Sequence, residues 1–178
     1  ANDNFILSSY MVLPNEETRT LLNNWIYNVY KYGEKIQTYT LLQKLTTYIF
    51  KNFTYKVREE AGVQTAKQTL SYGSGSCRDF AFLFMEVVKC LGLATRFVSG
   101  YLYAPLMSDK VGSTHAWAEV YLPGGGWIGF DPTTGNIAGT DHISVAVSRL
   151  PDNVPPIAGT IEGVTDSTIS VGVWVTKV

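Results

Sequence analysis

An α+β fold, with helices first and an antiparallel sheet after them, is what this sequence predicts. Three observations lead there. Apolar residues recur at helical spacing up to about residue 91. Beyond residue 94 they fall in short β-rich segments separated by glycine, proline and aspartate. Between the two regimes lies one helix that is apolar on nearly every side.

The 178 residues suffice for one domain, and 46% hydrophobic with 16% charged residues suits a substantial core. The formal net charge is −1, and no basic stripe is present. Neither a nucleic acid nor a membrane surface is therefore an expected partner. No stretch approaches the roughly 18 uninterrupted apolar residues of a membrane span. The opening ANDNFILSSYMVLP has no basic leader region and no initiating methionine, so it reads as the edge of a fragment.

Asn15 followed by Glu16 and Glu17 supplies a cap and an acidic first turn. Leu21, Leu22, Trp25, Ile26 and Val29 repeat behind it at helical spacing, and Gly33 stops the run. A second helix is expected from about Thr38 to Phe50, with Leu41, Leu42, Leu45 and Ile49 inward. NFTYKV is short enough to be only a connector or a brief strand. A short polar helix near Gln64–Leu70 leads into a glycine-rich loop. In the second half, TRFVSGYLYA, THAWAEVYL, GWIGFDP, HISVAVSRL and STISVGVWVTKV are the expected strands. RLPDNVPPIAG is too proline-rich for regular structure and is expected to wrap the surface before the last strand.

The central helix begins in SYGSGSCRDFAFLFMEVVKCL. Phe80, Leu83, Phe84, Val87, Val88 and Leu91 follow helical spacing, Ala81, Phe82 and Met85 widen the apolar surface, and Gly92 ends it. Ser76 and Asp79 match a capping box, which makes Cys77 the first helical residue. Free amides and the positive end of the helix dipole surround that position and favour a thiolate, as does Arg78 if it points inward. Gly73 and Gly75 remove bulk, which would let another molecule approach the sulfur. The competing reading is that Cys77 simply fills the core, as most helix cysteines do. Cys90, about 20 Å further along at ~1.5 Å per residue, lies beyond the roughly 7 Å that a disulfide spans. It reads as packing. Two free thiols fit a reducing, cytoplasmic compartment.

A nucleophilic cysteine needs an imidazole and a group to orient it. The chain offers His115 and His142. Strand alternation puts His115, Trp117, Glu119 and Tyr121 on one face and Ala116, Ala118, Val120 and Leu122 on the other. In the next segment Trp127, Gly129 and Asp131 share a face. A three-residue Pro123-Gly124-Gly125 loop pairs Leu122 with Gly126, which sets Asp131 opposite Trp117 and diagonal to His115. A four-residue loop without a bulge separates them. His115 and Asp131 each also have an ordinary reading, as a strand histidine and as a strand terminator before Pro132. Two histidines and two cysteines at these spacings match no zinc pattern, and no cofactor is expected.

GSGSCRDFAFLFMEVVKCLGLATRFVSGYLY, STHAWAEVYLPGGGWIGFDPTTGN and DHISVAVSRL followed by DNVPPIAG resemble the transglutaminase-like superfamily. The likeness is strongest to its bacterial branch of proposed cysteine proteases and covers roughly residues 35–160. The resemblance implies a papain-like, transglutaminase-core fold, with the cysteine at the start of a central helix and the histidine and aspartate on an adjoining antiparallel sheet. It implies Cys77 as nucleophile, His115 as base and then acid, and Asp131 as orienter. Tyr55 resembles the upstream donor to the oxyanion, although an aromatic packed beside the helix explains it equally. Trp117 is a candidate wall of the substrate cleft, and ordinary sheet packing explains it equally. SRLPDNVPP departs from the Gly-Arg-Asp-Tyr-like run of the bacterial branch, which bears on substrate choice. The resemblance also implies one catalytic domain over 1–178, cut from a longer chain with a β-rich region upstream. The expected activity is thiol-dependent acyl transfer on a protein or peptide, most simply hydrolysis of a peptide, isopeptide or side-chain amide. Glutamine–lysine cross-linking and an inactive binding module are the alternatives. His142 is a candidate lining residue of the cleft from a neighbouring strand and is not expected to be the base.

Overall fold

The computed structural model describes residues 7–58, 60–103, 114–160, 162–163, 168 and 170–176. The parts of expected segments outside these ranges, among them residues 104–113, lie outside the described residues. The helices α1 (Glu16–Ile26), α2 (Thr38–Asn52), α3 (Ala66–Tyr72) and α4 (Cys77–Cys90) precede the main sheet. β1 (Thr54–Tyr55) and β2 (Ser74–Gly75) form a small parallel pair among them. β3 (Thr95–Leu102), β4 (Thr114–Leu122), β5 (Gly126–Asp131), β6 (Asn136–Ile137) and β7 (His142–Ser148) build an antiparallel sheet in the order β6-β5-β4-β3-β7. The architecture is the expected α+β papain-like core.

Local chemistry explains the element ends. Asn15 caps α1 by accepting the Thr18 N–H at 2.9 Å. α3 begins two residues later than its composition suggests, because Thr65 and Gln68 close a capping box there. Gly73 ends α3 in the left-handed region, φ 58°, which a side chain rarely adopts. Of the expected C-terminal strand, the described residues hold only a single bridging position at Val173. Trp174, in the same segment, is exposed. The proline-rich connector contains one 3₁₀ turn, Pro151–Asn153.

α4 is the axis of the core. Phe80, Leu83, Phe84, Val87 and Val88 are buried against α1, α2 and the sheet, and Phe84 stacks on Phe130 at 5.7 Å. Glu86 and Lys89, the two polar residues on this helix beyond its first turn, are also buried. They neutralise one another through a 2.8 Å ion pair one turn apart. From β4, Ala116, Ala118 and Val120 enter the same core. The β4–β5 register pairs Leu122 with Gly126 and Ala118 with Phe130, as a three-residue loop requires.

Candidate active site

The capping box at the start of α4 forms as read: Ser76 Oγ accepts the Asp79 N–H, and Asp79 accepts the Ser76 N–H. Cys77 is thereby the first helical residue, buried but for 8% of its surface. Asp79 does more than cap. Its fully buried carboxylate also accepts Arg58 Nη1 and the Gln64 N–H, both at 2.7 Å, which ties the 58–64 loop to the start of α4. Arg78 does the same on the other flank. Its guanidinium donates to the carbonyls of Pro151 at 2.8 Å and Val154 at 3.1 Å while lying over the Phe97 ring. Three consecutive residues therefore supply a thiol, a cationic anchor for one loop and an anionic anchor for the other.

Gly75 has a different purpose from the one expected. A side chain there would meet the Asp79 Cβ at 2.8 Å, so its bareness makes room for that carboxylate rather than for an incoming molecule. Gly73 serves the end of α3.

His115 reaches Asp131 Oδ2 from Nε2 at 2.8 Å and lies near enough to Cys77 for the thiol to act on it electrostatically. With Nε2 committed to the carboxylate, Nδ1 is the nitrogen left for the sulfur. Burial alone pulls His115 down. The hydrogen bond to Asp131, the neighbouring Cys77 and the charges of both outweigh it and push the imidazole up to about 10.

Asp131 ends β5 and is fully buried. Its Oδ1 accepts the N–H groups of Thr133 (2.9 Å) and Thr134 (3.3 Å), the turn that an Asp-Pro-Thr-Thr run favours. Its Oδ2 accepts Thr134 Oγ1 at 2.9 Å and a second imidazole, His142 Nε2, at 3.0 Å. Burial works to raise the Asp131 carboxyl. The hydrogen bonds from His115 and His142, the His115 charge and Thr134 overcome that and hold it well below the usual carboxylate range.

His142, expected only as a residue that lines the cleft from a neighbouring strand, bonds Asp131 directly, a contact that sequence reasoning missed. The cause is a register slip between Ser99 and Gly100 where β3 meets β7. Phe97–Ser99 pair with β7 in one phase and Gly100–Leu102 in the other. Extending the first phase would turn His142 to the opposite face.

Trp117, expected as a wall of an open cleft, is only 2% exposed. It stacks beside His115 at 6.1 Å and meets His142 edge-on at 5.1 Å, so it backs the two imidazoles. Tyr55 lies opposite Gly75 on the β1–β2 pair, with its ring 6.4 Å from Phe80. Burial first, and the Cys77 charge second, push its phenol up to about 12, so it remains an O–H donor near the sulfur. Cys90 is half-buried, and burial and then Glu86 push its thiol up to about 11, in keeping with packing.

A polar cavity of about 940 Å³ is lined among others by Lys56, Gln64, Gln68, Tyr72 and Gly75, and Cys77 and His115 are not among its lining residues. Ligand atoms of His115, Asp131 and His142 lie within 4.8 Å of one another. His115 Nε2, Asp131 Oδ2 and His142 Nε2 are also the atoms that make the hydrogen bonds above. Among the described residues no helix is long and apolar enough to cross a membrane.

Residues 27–132 match the family model of the transglutaminase-like superfamily, a span that includes Tyr55, Cys77, His115 and Asp131. An uncharacterized protein of Mycobacterium tuberculosis, Rv2569c, is 33% identical over 130 residues, covering 68% of this chain and 41% of that protein. The chain thus spans well under half the length of this curated relative. The structure of a proposed cysteine protease from Cytophaga hutchinsonii is similar with a TM-score of 0.65 at 25% identity, covering 82% of this chain and 48% of that one. Calcium-bound LapG from Legionella pneumophila shares the fold at 18% identity, with a TM-score of 0.54 over 82% of this chain and 81% of its own.

Proposed function

This chain belongs to the transglutaminase-like superfamily, and from that premise we propose that it is a thiol-dependent acyl-transfer enzyme that hydrolyses an amide. The observation that carries the reading is the buried His115 imidazole, bonded through Nε2 to Asp131 at 2.8 Å and within electrostatic reach of the Cys77 thiol. His115 takes the thiol proton, and the sulfur attacks the carbonyl carbon of the amide. Tyr55 and the free amides of the first turn of α4 donate to the oxygen as it becomes negative. When the C–N bond breaks, the proton on His115 goes to the leaving amine and a thioester remains. His115 then removes a proton from water, the hydroxide attacks the thioester, and the C–S bond breaks to restore the thiol. Asp131 keeps the ring oriented and supports its positive charge throughout.

The Cytophaga hutchinsonii neighbour, a proposed cysteine protease, supports water as the acceptor.

The test is intact-mass analysis with peptidyl electrophile probes, followed by incubation with a glutamine peptide and a labelled primary amine. Wild type is expected to gain the probe's mass at Cys77 and to release more hydrolysed than amine-coupled product, whereas Cys77→Ala gains nothing. Amine incorporation exceeding hydrolysis would overturn the hydrolytic assignment. An equal adduct on Cys77→Ala would overturn the nucleophile.

A further inference from the structure

We infer that His142 is a positioning residue of this site, holding the Asp131 carboxylate in the orientation that His115 requires. The inference rests on the acyl-transfer reading above. Four observations meet at this ring. The register slip at Ser99/Gly100 turns His142 to the face shared by Gly100, His115 and Trp117. Its Nδ1 accepts the Gly139 N–H at 3.2 Å, so Nδ1 carries no proton and Nε2–H is the donor to Asp131. The Trp117 ring packs edge-on against it at 5.1 Å. The side chain is 8% exposed, and the carboxylate it meets is fully buried.

The reach of the bond shows what it does. β5 and β7 are separated by β4 and β3. In a flat sheet their backbones would lie about 14 Å apart, at roughly 4.8 Å per strand spacing. The two side chains nevertheless come within 3.0 Å, so the sheet curls around Trp117 on this face. Gly100, between them, permits the curl: a side chain there would fall 2.9 Å from Trp117 Cη2 and 2.0 Å from the Ile143 carbonyl. Thr133 and Thr134 hold Asp131 from its own strand end, whereas His142 holds it from the far edge of the sheet. With three donors on Oδ2, rotation of the carboxylate away from His115 costs two hydrogen bonds besides the catalytic one.

The experiment compares His142→Gln, whose amide keeps a donor at the Nε2 position, with His142→Leu, which keeps bulk and loses the donor. Two readouts are taken on the full chain: the rate of Cys77 alkylation by iodoacetamide, and the imidazole ¹⁵N–¹H resonances. The sequence contains only two histidines, so each ring is assignable. His142→Leu is expected to slow Cys77 alkylation about tenfold and to shift the His115 Nε2–H resonance, since a misaligned catalytic ring costs on this order or more. His142→Gln is expected to stay within about threefold of wild type, because the donor to Asp131 survives. Should His142→Leu fail to fold, His142→Asn, polar but too short to reach, takes its place with the same expectation. A leucine variant with wild-type alkylation and an unmoved His115 resonance would overturn the inference, as would equal losses in both variants. If wild type itself alkylates no faster than His115→Ala, the acyl-transfer reading fails, and the positioning role fails with it.

Discussion

Replacing Asp131 by alanine is expected to lower Cys77-dependent turnover by about three to four orders of magnitude, the scale set by loss of the orienting carboxylate in triads of this design. The change strands five donors around a fully buried position: two imidazole N–H groups, the Thr134 hydroxyl and the amides of Thr133 and Thr134. Breaking a buried ion pair from one side costs about 3–5 kcal/mol, which for a domain of this size lowers the melting temperature by roughly 10 °C. The pH behaviour discriminates further. His115 is held up to about 10 by Asp131 and Cys77 against burial, which pulls it down. Without Asp131 the alkaline limb of activity moves to lower pH.

The stability difference between wild type and Asp131→Ala has its own pH signature. The raised His115 contributes fully below its ordinary 6.5, and that contribution is lost as pH rises through about 10. The lowered Asp131 contributes above its ordinary 3.8 and is lost as pH falls through its folded value. Melting curves taken across pH should therefore separate the two proteins most between these ordinary values. Asparagine is not a neutral substitute here. An amide offers one oxygen, whereas both carboxylate oxygens face donors.

Asp79→Ala is expected to destabilise the protein by a comparable amount, about 3–5 kcal/mol, for a different reason. The fully buried Asp79 carboxylate receives the Arg58 guanidinium, the Gln64 amide and both the amide and hydroxyl of Ser76. Alanine removes the acceptor and leaves the partly buried guanidinium with Glu60 as its remaining described partner, at 3.4 Å. The first turn of α4 loses half of its capping box, and the 58–64 loop loses its anchor to the helix that presents Cys77. Denaturant unfolding should show the stability loss. Cys77 alkylation should slow in the same variant, because the sulfur sits in the turn that frays. Asp79→Asn, which keeps the shape and loses the charge, should lie between wild type and alanine.

Local patterns made much of this legible before any coordinates. The Ser76–Asp79 spacing placed Cys77 on the first helical residue. The Pro-Gly-Gly loop set the β4–β5 register, and with it the meeting of His115 and Asp131. What stayed hidden depended on neighbours distant in sequence. The slip between Ser99 and Gly100 that turns His142 inward arises where β3 meets a strand some forty residues later. Gly75 looked like an opening for an incoming molecule because the Asp79 side chain that fills the space is placed by the helix geometry. For Trp117, cleft wall and sheet packing stayed equally open, because alternation assigns a face and says nothing about how strongly a sheet curls over it.

The account stands on His115 acting on Cys77, and one measurement addresses that contact directly: the alkylation rate of Cys77 by iodoacetamide at neutral pH in wild type and in His115→Ala. An imidazole that takes the thiol proton predicts a wild-type rate at least about tenfold above that of the variant. Equal rates in two folded proteins would contradict it.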